Sequence, residues 1–190
     1  MAPRKVLIVN GHPDPSDERL CAALAGGYAK GASAAGHLVR RIDVGRLDFP
    51  LIRTAAEFAT GEPPPVIREA QAAVTWADHL VVVYPLWLGG VPALLKGFFE
   101  QVFRYGFALS AEKPMKGLLK GRSVRVIVTM GMPAPVFRWI FGAYGLKAIE
   151  RGIFWISGMG PIRHTILGGI DGKPAPRALK TVEGLGWDGI

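Results

Sequence analysis

A chain of 190 residues with 49% hydrophobic and 20% charged side chains can bury one hydrophobic core. This composition excludes an intrinsically disordered protein. Its one cysteine, Cys21, excludes an internal disulfide framework and a cysteine-based metal cluster, and we expect no bound metal. The apolar runs fall short of the roughly 18 residues that a membrane-spanning helix needs. We therefore expect no transmembrane segment.

The formal net charge of +8 raises nucleic acid as a possible partner. The basic residues are scattered, apart from a modest group between Lys113 and Arg125, which argues against nucleic-acid binding. Phosphate-bearing small molecules or an acidic membrane surface fit this charge better. A single cysteine fits a reducing compartment, and the first residues lead into a predicted strand without room for a signal peptide. We expect a cytoplasmic protein.

The first strand is predicted at residues 5–10, KVLIVN, a short run rich in β-branched side chains. Residues 11–15, GHPDP, form a loop because two prolines in three residues forbid a helix. Ser16 or Asp17 can cap the helix that follows. The apolar face of that helix consists of Leu20, Leu24 and Tyr28.

Residues 37–44, HLVRRIDV, alternate apolar and polar side chains, which predicts a second strand nearer the edge of the sheet. Residues 46–65 are predicted to form a loop or lid, because they hold Pro50 and three consecutive prolines at 63–65. A helix is predicted at residues 66–77, where apolar side chains recur along one side.

The central unit runs from residue 79 to 107. Its apolar run at 80–84 is typical of a strand that is buried on both faces of a parallel sheet. Pro85 ends this strand, and the loop PLWLGG leads to a helix that starts near Val91, where apolar residues begin to recur at intervals of three and four.

The second half repeats the alternation of strand and helix. It contains a long connection at 108–121, a fourth strand at 122–129, a loop at 130–135, a helix at 136–157 and a fifth strand at 161–167. We expect the helix to be interrupted near Gly142 or Gly145. The glycine-rich tail from about residue 168 is expected to be irregular.

Alternating strands and helices predict an α/β fold: a three-layer, doubly wound, five-stranded parallel sheet of order 2-1-3-4-5. We expect residues 1–190 to form a single domain. The sequence contains neither a GxGxxG fingerprint nor a Walker loop, so neither the dinucleotide-binding motif nor a P-loop NTPase is supported.

This topology brings three loops to one edge of the sheet. The loop GHPDPSDER joins the first strand to a helix N-terminus, where free N–H groups and the helix dipole attract phosphate. The side chains of His12, Ser16 and Arg19 can add donors. In the other two loops, PLWLGG and TMGMPAP, glycines allow the backbone to approach a flat ligand, and Trp87 and Leu88 can wall the site. Together the loops predict a planar, phosphorylated ligand such as FMN or FAD.

The segment YPLWLGGVPALLKGFFEQVFRYGFA resembles the flavodoxin-fold NAD(P)H:quinone oxidoreductase family. The segments KVLIVNGHPDPS, KPMKGLLKGRSVRVIVTMG and SGMGPIRHTILGGI resemble the family's first strand with its phosphate loop, the approach to its fourth strand, and its last strand. The resemblance spans roughly residues 4–170.

The resemblance implies a homodimer with the active site at its interface, and a ping-pong cycle. In that cycle NAD(P)H, the co-substrate, gives a hydride to flavin N5, and a quinone or similar acceptor then takes both electrons. It implies FAD as the cofactor, with FMN as the alternative. By position, the flavin-binding residues are His12, Ser16, Arg19, Leu20, Pro85, Leu86, Trp87, Leu88, Gly89, Thr129, Met130, Gly131 and Met132.

The sequence also departs from the family pattern. Thr129-Met130-Gly131-Met132 stands where Thr-Thr-Gly-Gly is frequent, and Phe137 falls near the position of a tyrosine that assists charge relay in some members. Tyr144 is the candidate catalytic substitute. Two alternatives remain open: a regulatory flavoprotein ancillary to a potassium efflux transporter, and an electron-carrier flavodoxin.

Four further residues have expected places in the fold. His37 and His79 each precede or begin a strand and are expected at the surface. His164, within the fifth strand, is expected to be a core residue bonded to the backbone, and Cys21 is expected to be inert core.

Overall fold

In the computed structural model, which describes residues 2–113, 115–170 and 175–190, five strands form one parallel sheet with helices on both faces. The strand order is β2-β1-β3-β4-β5, and every neighbouring pair is parallel. This confirms the predicted fold class. The strands are β1 (Lys5–Asn10), β2 (Leu38–Asp43), β3 (His79–Pro85), β4 (Ser123–Thr129) and β5 (Ile162–Leu167).

The helices fall on both sides of the sheet. They are α1 (Leu20–Ala34), α2 (Ala55–Thr60), α3 (Pro65–Trp76), α4 (Ala93–Val102), α5 (Tyr144–Ile149) and α6 (Pro176–Asp188). A 3-10 turn occupies Val44–Arg46, and π-helical segments occupy Val136–Ile140 and Glu150–Trp155. Within the described residues, none of these helices has both the length and the apolar character to cross a bilayer.

Alternate residues of the central strands supply two separate cores. Val81 and Val83 of β3 pack with α1 and α6, whereas Leu80, Val82 and Tyr84 pack with α3, α4 and α5. Burial on both faces explains why β3 has a continuous apolar sequence. The edge strand β2 is only half-buried, as its alternating sequence predicts.

The connection predicted as a loop at residues 46–65 contains α2. Thr54 and Glu57 form a reciprocal capping box, in which the Thr54 hydroxyl accepts from the Glu57 N–H at 3.1 Å and the Glu57 carboxylate accepts from the Thr54 N–H at 3.3 Å. The prolines on both sides of this helix favour a loop and obscure its capping signature in the sequence. The helix predicted at 136–157 is interrupted as expected, at Gly142 and Ala143, which both have positive φ.

The expectation of an irregular tail is wrong, because α6 packs along α1. A Cβ on Gly31 of α1 would overlap the carbonyl of Glu183, and a Cβ on Gly186 of α6 would overlap the carbonyl of Tyr28. Glycine has a low helix propensity, but at these two positions it allows the two helix backbones to come into contact. Residues 171–174 of this tail lie outside the described residues.

The expectations for three histidines are also wrong. His37 and His79 are buried: His37 lies beside Gly189, which follows α6, and His79 lies beside the ring of Tyr28 and 2.7 Å from Ser123 Oγ. His37 Nδ1 accepts the N–H of Arg4 at 3.1 Å. His164 is instead partly exposed and lies 2.8 Å from a carboxylate oxygen of Glu150, because β5 is an edge strand.

Candidate active site

A cavity of about 240 Å³ opens at the carboxyl edge of the sheet, where the chain reverses its direction of winding between β1 and β3. Ligands bind at this position in open α/β sheets. The residues that line it are His12, Arg19, Leu20, Cys21, Pro85, Leu86, Trp87, Thr129, Met130, Gly131 and Ile170.

Backbone hydrogen bonds fix the loops of this cavity to one another. Gly11 after β1 donates to the carbonyl of Val83 at 2.7 Å, and Leu86 after β3 donates to the carbonyl of Thr129 at 2.8 Å. The parallel register, which places Asn10 beside Val83 and Pro85 beside Thr129, sets these contacts. The walls of the cavity are therefore positioned by the sheet itself.

The histidine of the first loop is held in one tautomer. His12 Nδ1 accepts the N–H of Asp14 at 3.0 Å, so a neutral ring carries its proton on Nε2. Burial of the ring lowers the pKa of His12 below its ordinary value, which favours this neutral form at pH 7. The ring packs edge-on against Trp87, with centroids 5.9 Å apart. His12 is thus a neutral N–H donor on the cavity wall.

The carboxylate of Asp14 organises the rest of the first loop. One oxygen accepts the N–H of Ser16 at 2.9 Å, and the other accepts Arg19 Nε at 2.7 Å and Nη2 at 2.6 Å. The bond from the Ser16 N–H and the Arg19 guanidinium lower the pKa of Asp14. The carboxylate is therefore ionised at neutral pH.

The N-terminus of α1 opens on the cavity. Its N-cap residue, Arg19, has extended backbone angles and makes no side-chain capping hydrogen bond within the described part of the chain. The first turn carries the apolar side chains of Leu20, Cys21 and two alanines. The positive dipole end of the helix thus lacks a capping side chain, an arrangement that suits an anion.

The second loop is a tight turn. Trp87 and Gly90 exchange two backbone hydrogen bonds of 3.0 Å, and the central residues Leu88 and Gly89 both have positive φ. The N–H groups of Leu86, Trp87 and Gly90 are therefore engaged within the protein. Its contribution to the cavity is the side chains of Leu86 and Trp87.

The start of α5 supports this turn from outside. A Cβ on Gly145 would overlap the carbonyl of Gly89, so only glycine allows so close an approach. The neighbouring Tyr144 is 76% exposed and is not part of the cavity wall.

Residues 4–184 match the family model described as the flavodoxin-like fold. The chain belongs to the flavodoxin-like fold family. Among curated relatives, the ribosyldihydronicotinamide dehydrogenase-like protein traD of Penicillium crustosum is 30% identical over 86% of this chain and 67% of its own length. The FMN-dependent NADH:quinone oxidoreductase of Nitratidesulfovibrio vulgaris is 29% identical, with 82% of this chain and 84% of its own length covered.

In two other curated relatives the match covers less of the relative's own length, 34% in one and 50% in the other. Among solved structures, the NAD(P)H:quinone oxidoreductase from Methanothermobacter marburgensis superposes with a TM-score of 0.82 at 23% identity, covering 98% of this chain and 97% of that one. An FMN-dependent NADH-azoreductase from Bacillus anthracis, solved in complex with FMN, superposes with a TM-score of 0.72 at 18% identity, covering 96% and 97%. At these identities the likeness shows a shared fold.

Nine of the thirteen predicted flavin-binding positions of this flavodoxin-like chain lie on the cavity wall. The other four are Ser16, Leu88, Gly89 and Met132. Leu88 and Gly89 form the tip of the turn and point away because the Trp87–Gly90 hydrogen bonds reverse the chain there. The site assignments themselves remain predictions.

Two residues of the wall were missed by the sequence reasoning. Cys21 was assigned to inert core, and Ile170 fell in the tail that was expected to be irregular. Ile170 is held by its N–H, which donates to the carbonyl of Met130 at 3.2 Å. The positions of both residues in the sequence could have indicated this. Cys21 follows Leu20 in the first turn of α1, and Ile170 follows β5, the strand beside β4. Among the described residues of this flavodoxin-like chain, no group of three or more His, Cys, Asp or Glu side chains could hold a metal ion.

An exposed apolar surface adjoins the tight turn. Leu88 is fully exposed, and Trp139 and Ile140, which precede α5, are each 77% exposed. Phe137, which falls near the position of the family's tyrosine, is buried in the core, with only 1% of its surface exposed. Exposed apolar side chains mark an interaction site in soluble proteins when they form a contiguous patch.

Proposed function

We propose that the protein is a flavin-dependent reductase that transfers two electrons from NAD(P)H to quinones or related acceptors. The observation that carries this proposal is the cavity itself, which joins the uncapped N-terminus of α1 to walls formed by Leu86, Trp87 and Met130. The names of the relatives, which include quinone oxidoreductases, support the same assignment.

The residues present fit a flavin at both ends of the molecule. A phosphate needs several donors, and the first N–H groups of α1, the Arg19 guanidinium and His12 Nε2 supply them. A flat ring needs apolar walls, and the side chains of Trp87 and Met130 supply them on the same cavity. The site thus offers a polar end and an apolar end.

We propose FMN as the cofactor, in place of the FAD that the family resemblance implied. The Nitratidesulfovibrio vulgaris relative, which this chain matches over most of both lengths, is named for its dependence on FMN. The azoreductase from Bacillus anthracis, which shares the fold, was solved with FMN. FAD has no comparable support among these proteins.

Bound flavin would supply the hydride and electron chemistry, taking a hydride from NAD(P)H and returning two electrons to the acceptor in a second half-reaction. Two residues of the cavity wall, Cys21 and His12, carry no charge at neutral pH. Cys21 is a protonated thiol because burial raises its pKa to about 11, and His12 is neutral. Trp87 is half-exposed, so the cavity mouth beside it remains open to solvent for donor and acceptor in turn. We propose a ping-pong cycle on this basis.

We further propose a homodimer that closes the cavity with the apolar surface around Leu88, Trp139 and Ile140. Tyr144 lies beside this surface but outside the cavity of its own chain. A proton-transfer role for Tyr144 therefore requires the site that two copies form together. A second copy would shield side chains that are unfavourable in water.

The first test is the visible spectrum of the purified full chain, with mass spectrometry of the released cofactor. We expect bound FMN, and stopped-flow mixing should show NAD(P)H oxidation without acceptor, followed by quinone reduction after the nicotinamide is removed. A colourless protein that binds neither FMN nor FAD on titration would contradict the proposal.

The second test is light scattering on the wild type and on a Trp139→Ser/Ile140→Ser double variant. We expect a dimer that the double variant dissociates. Trp187→Ser, on the exposed face of α6, is the matched control and should leave the dimer intact. A wild-type monomer with full quinone reductase activity would exclude the shared site.

A further inference from the structure

The first loop contains its own anion, the carboxylate of Asp14, which holds one of the donors that we propose for a phosphate. Asp14 takes the N–H of Ser16 at 2.9 Å and both guanidinium contacts of Arg19, at 2.6 and 2.7 Å. A backbone N–H and an arginine fork are also the donors that a phosphate ester prefers. A carboxylate and a phosphate therefore compete for the Arg19 guanidinium.

The surrounding charges do not favour a dianion while Asp14 holds Arg19. The loop carries the carboxylates of Asp14, Asp17 and Glu18, against the guanidiniums of Arg19 and Arg46. Arg46 is engaged with Asp17 at 2.8 Å and with the carbonyl of Pro15 at 3.1 Å, so it is directed away from the cavity wall. The guanidinium on the wall is that of Arg19, and Asp14 neutralises it.

The Asp14–Arg19 pair is nevertheless easy to open. The side chains of Arg19 and Asp14 are 53% and 36% exposed, and ion pairs in contact with water contribute little to stability. Rotation of the Asp14 side chain would release the Arg19 guanidinium and the Ser16 N–H together. One side-chain movement thus exchanges an internal anion for an external one.

We propose that Asp14 is an internal competitor that sets how strongly the site discriminates a phosphorylated flavin from an unphosphorylated one. This inference rests on the proposed flavin site. Binding of FMN must displace the carboxylate from Arg19, whereas riboflavin, which lacks the phosphate, leaves the Asp14–Arg19 pair in place. Asp14 therefore lowers affinity for FMN and leaves affinity for riboflavin unchanged.

The test is calorimetric titration of the full chain, freed of bound flavin, with FMN and with riboflavin. Asp14→Asn keeps an acceptor for the Ser16 N–H but removes the charge. We expect it to lower the Kd for FMN at least fivefold and to change the Kd for riboflavin less than twofold. Glu18→Gln is the matched control, because it removes one negative charge from the same loop without touching Arg19, and it should change both values less than twofold.

Three results would overturn the inference: an unchanged or weaker affinity of Asp14→Asn for FMN, an equal gain for riboflavin, or an equal gain in Glu18→Gln. Asp14→Ser, which also retains a short acceptor, repeats the test if Asp14→Asn folds poorly by circular dichroism.

Titration with inorganic phosphate, followed by the amide signal of Ser16 in NMR spectra, separates this inference from the proposed function. A chain that binds no flavin refutes the function. A tighter phosphate Kd in Asp14→Asn would still support the competition, and an unchanged phosphate Kd would refute it.

Discussion

Cys21 Sγ lies 3.7 Å from Thr129 Oγ1, a contact that joins the first turn of α1 to the end of β4 across the wall of the cavity. Residues 108 positions apart in the sequence are thus adjacent where a ligand would bind. Because of this contact, the reactivity of the Cys21 thiol reports both unfolding of the protein and binding of a ligand in the cavity. No other thiol interferes, since Cys21 is the only cysteine of the chain.

We predict that Cys21 reacts slowly with a disulfide reagent in the folded protein. Burial raises the pKa of its thiol to about 11, so at pH 8 the reactive thiolate is about 100-fold scarcer than for a thiol of pKa 9. The labelling rate should rise at least 100-fold in urea, and added FMN should slow it further in the folded protein. Equal rates in buffer and in urea would show that the thiol is not buried.

Gly145→Ala should lower the stability of the fold and also disturb the tight turn beside the cavity. The new Cβ would overlap the carbonyl of Gly89 and push α5 away from the turn. Forced overpacking costs about 1–3 kcal/mol, which corresponds to about 2–4 °C of Tm for each kcal/mol in a chain of this size. Gly152→Ala, where a Cβ meets open space, is the control and should not lower Tm. A Gly145→Ala protein with unchanged Tm would mean that the two segments are not in contact.

The contact between α1 and α6 can be tested with two glycines of the same helix. Gly186→Ala places a Cβ against the carbonyl of Tyr28 and should cost about 1–3 kcal/mol. Gly184→Ala meets open space and should stabilise the helix by about 0.5–1 kcal/mol. Urea unfolding followed by circular dichroism measures both. Equal effects of the two substitutions would refute the packing of α6 on α1.

His79 predicts a loss of stability in acid. Burial, with a smaller effect from nearby arginines such as Arg4 and Arg125, lowers the pKa of His79 to about 3. Below about pH 6.5 the unfolded chain binds a proton that the folded chain refuses, so the free energy of unfolding falls as pH falls, by about 1.4 kcal/mol per unit from this group. Urea unfolding at pH 7.5, 6 and 5 should show that His79→Asn has a shallower dependence than the wild type. Identical slopes would place the imidazole in contact with water.

The sequence predicted the sheet well because its signals are local. The continuous apolar run at 80–84 indicates a strand that is buried on both faces. The alternating pattern at 37–44 indicates a strand that is buried on one face. It failed for α6 because Gly31 and Gly186 look like helix breakers until the partner helix is known. It failed for His79 for the same reason, since the residues beside this side chain, Tyr28 and Ser123, are distant from it in the sequence. At the cavity, the strand ends were predictable from topology, whereas the tight turn at Leu88 and Gly89 depends on hydrogen bonds that no sequence pattern displays.

Gly131→Leu should separate ligand binding from folding. Gly131 lies on the cavity wall, and a Cβ built there meets nothing within 4 Å, so the fold can accept a side chain at this position. We expect a Tm within about 2 °C of the wild type, since substitutions that create no clash usually change stability by less than about 0.5 kcal/mol. The leucine extends from the wall and should raise the Kd for FMN at least tenfold, about 1.4 kcal/mol. Gly184→Leu adds the same side chain on the exposed face of α6 and should leave the Kd unchanged. Normal FMN affinity in Gly131→Leu would move the flavin site away from this cavity, even if the protein binds FMN elsewhere.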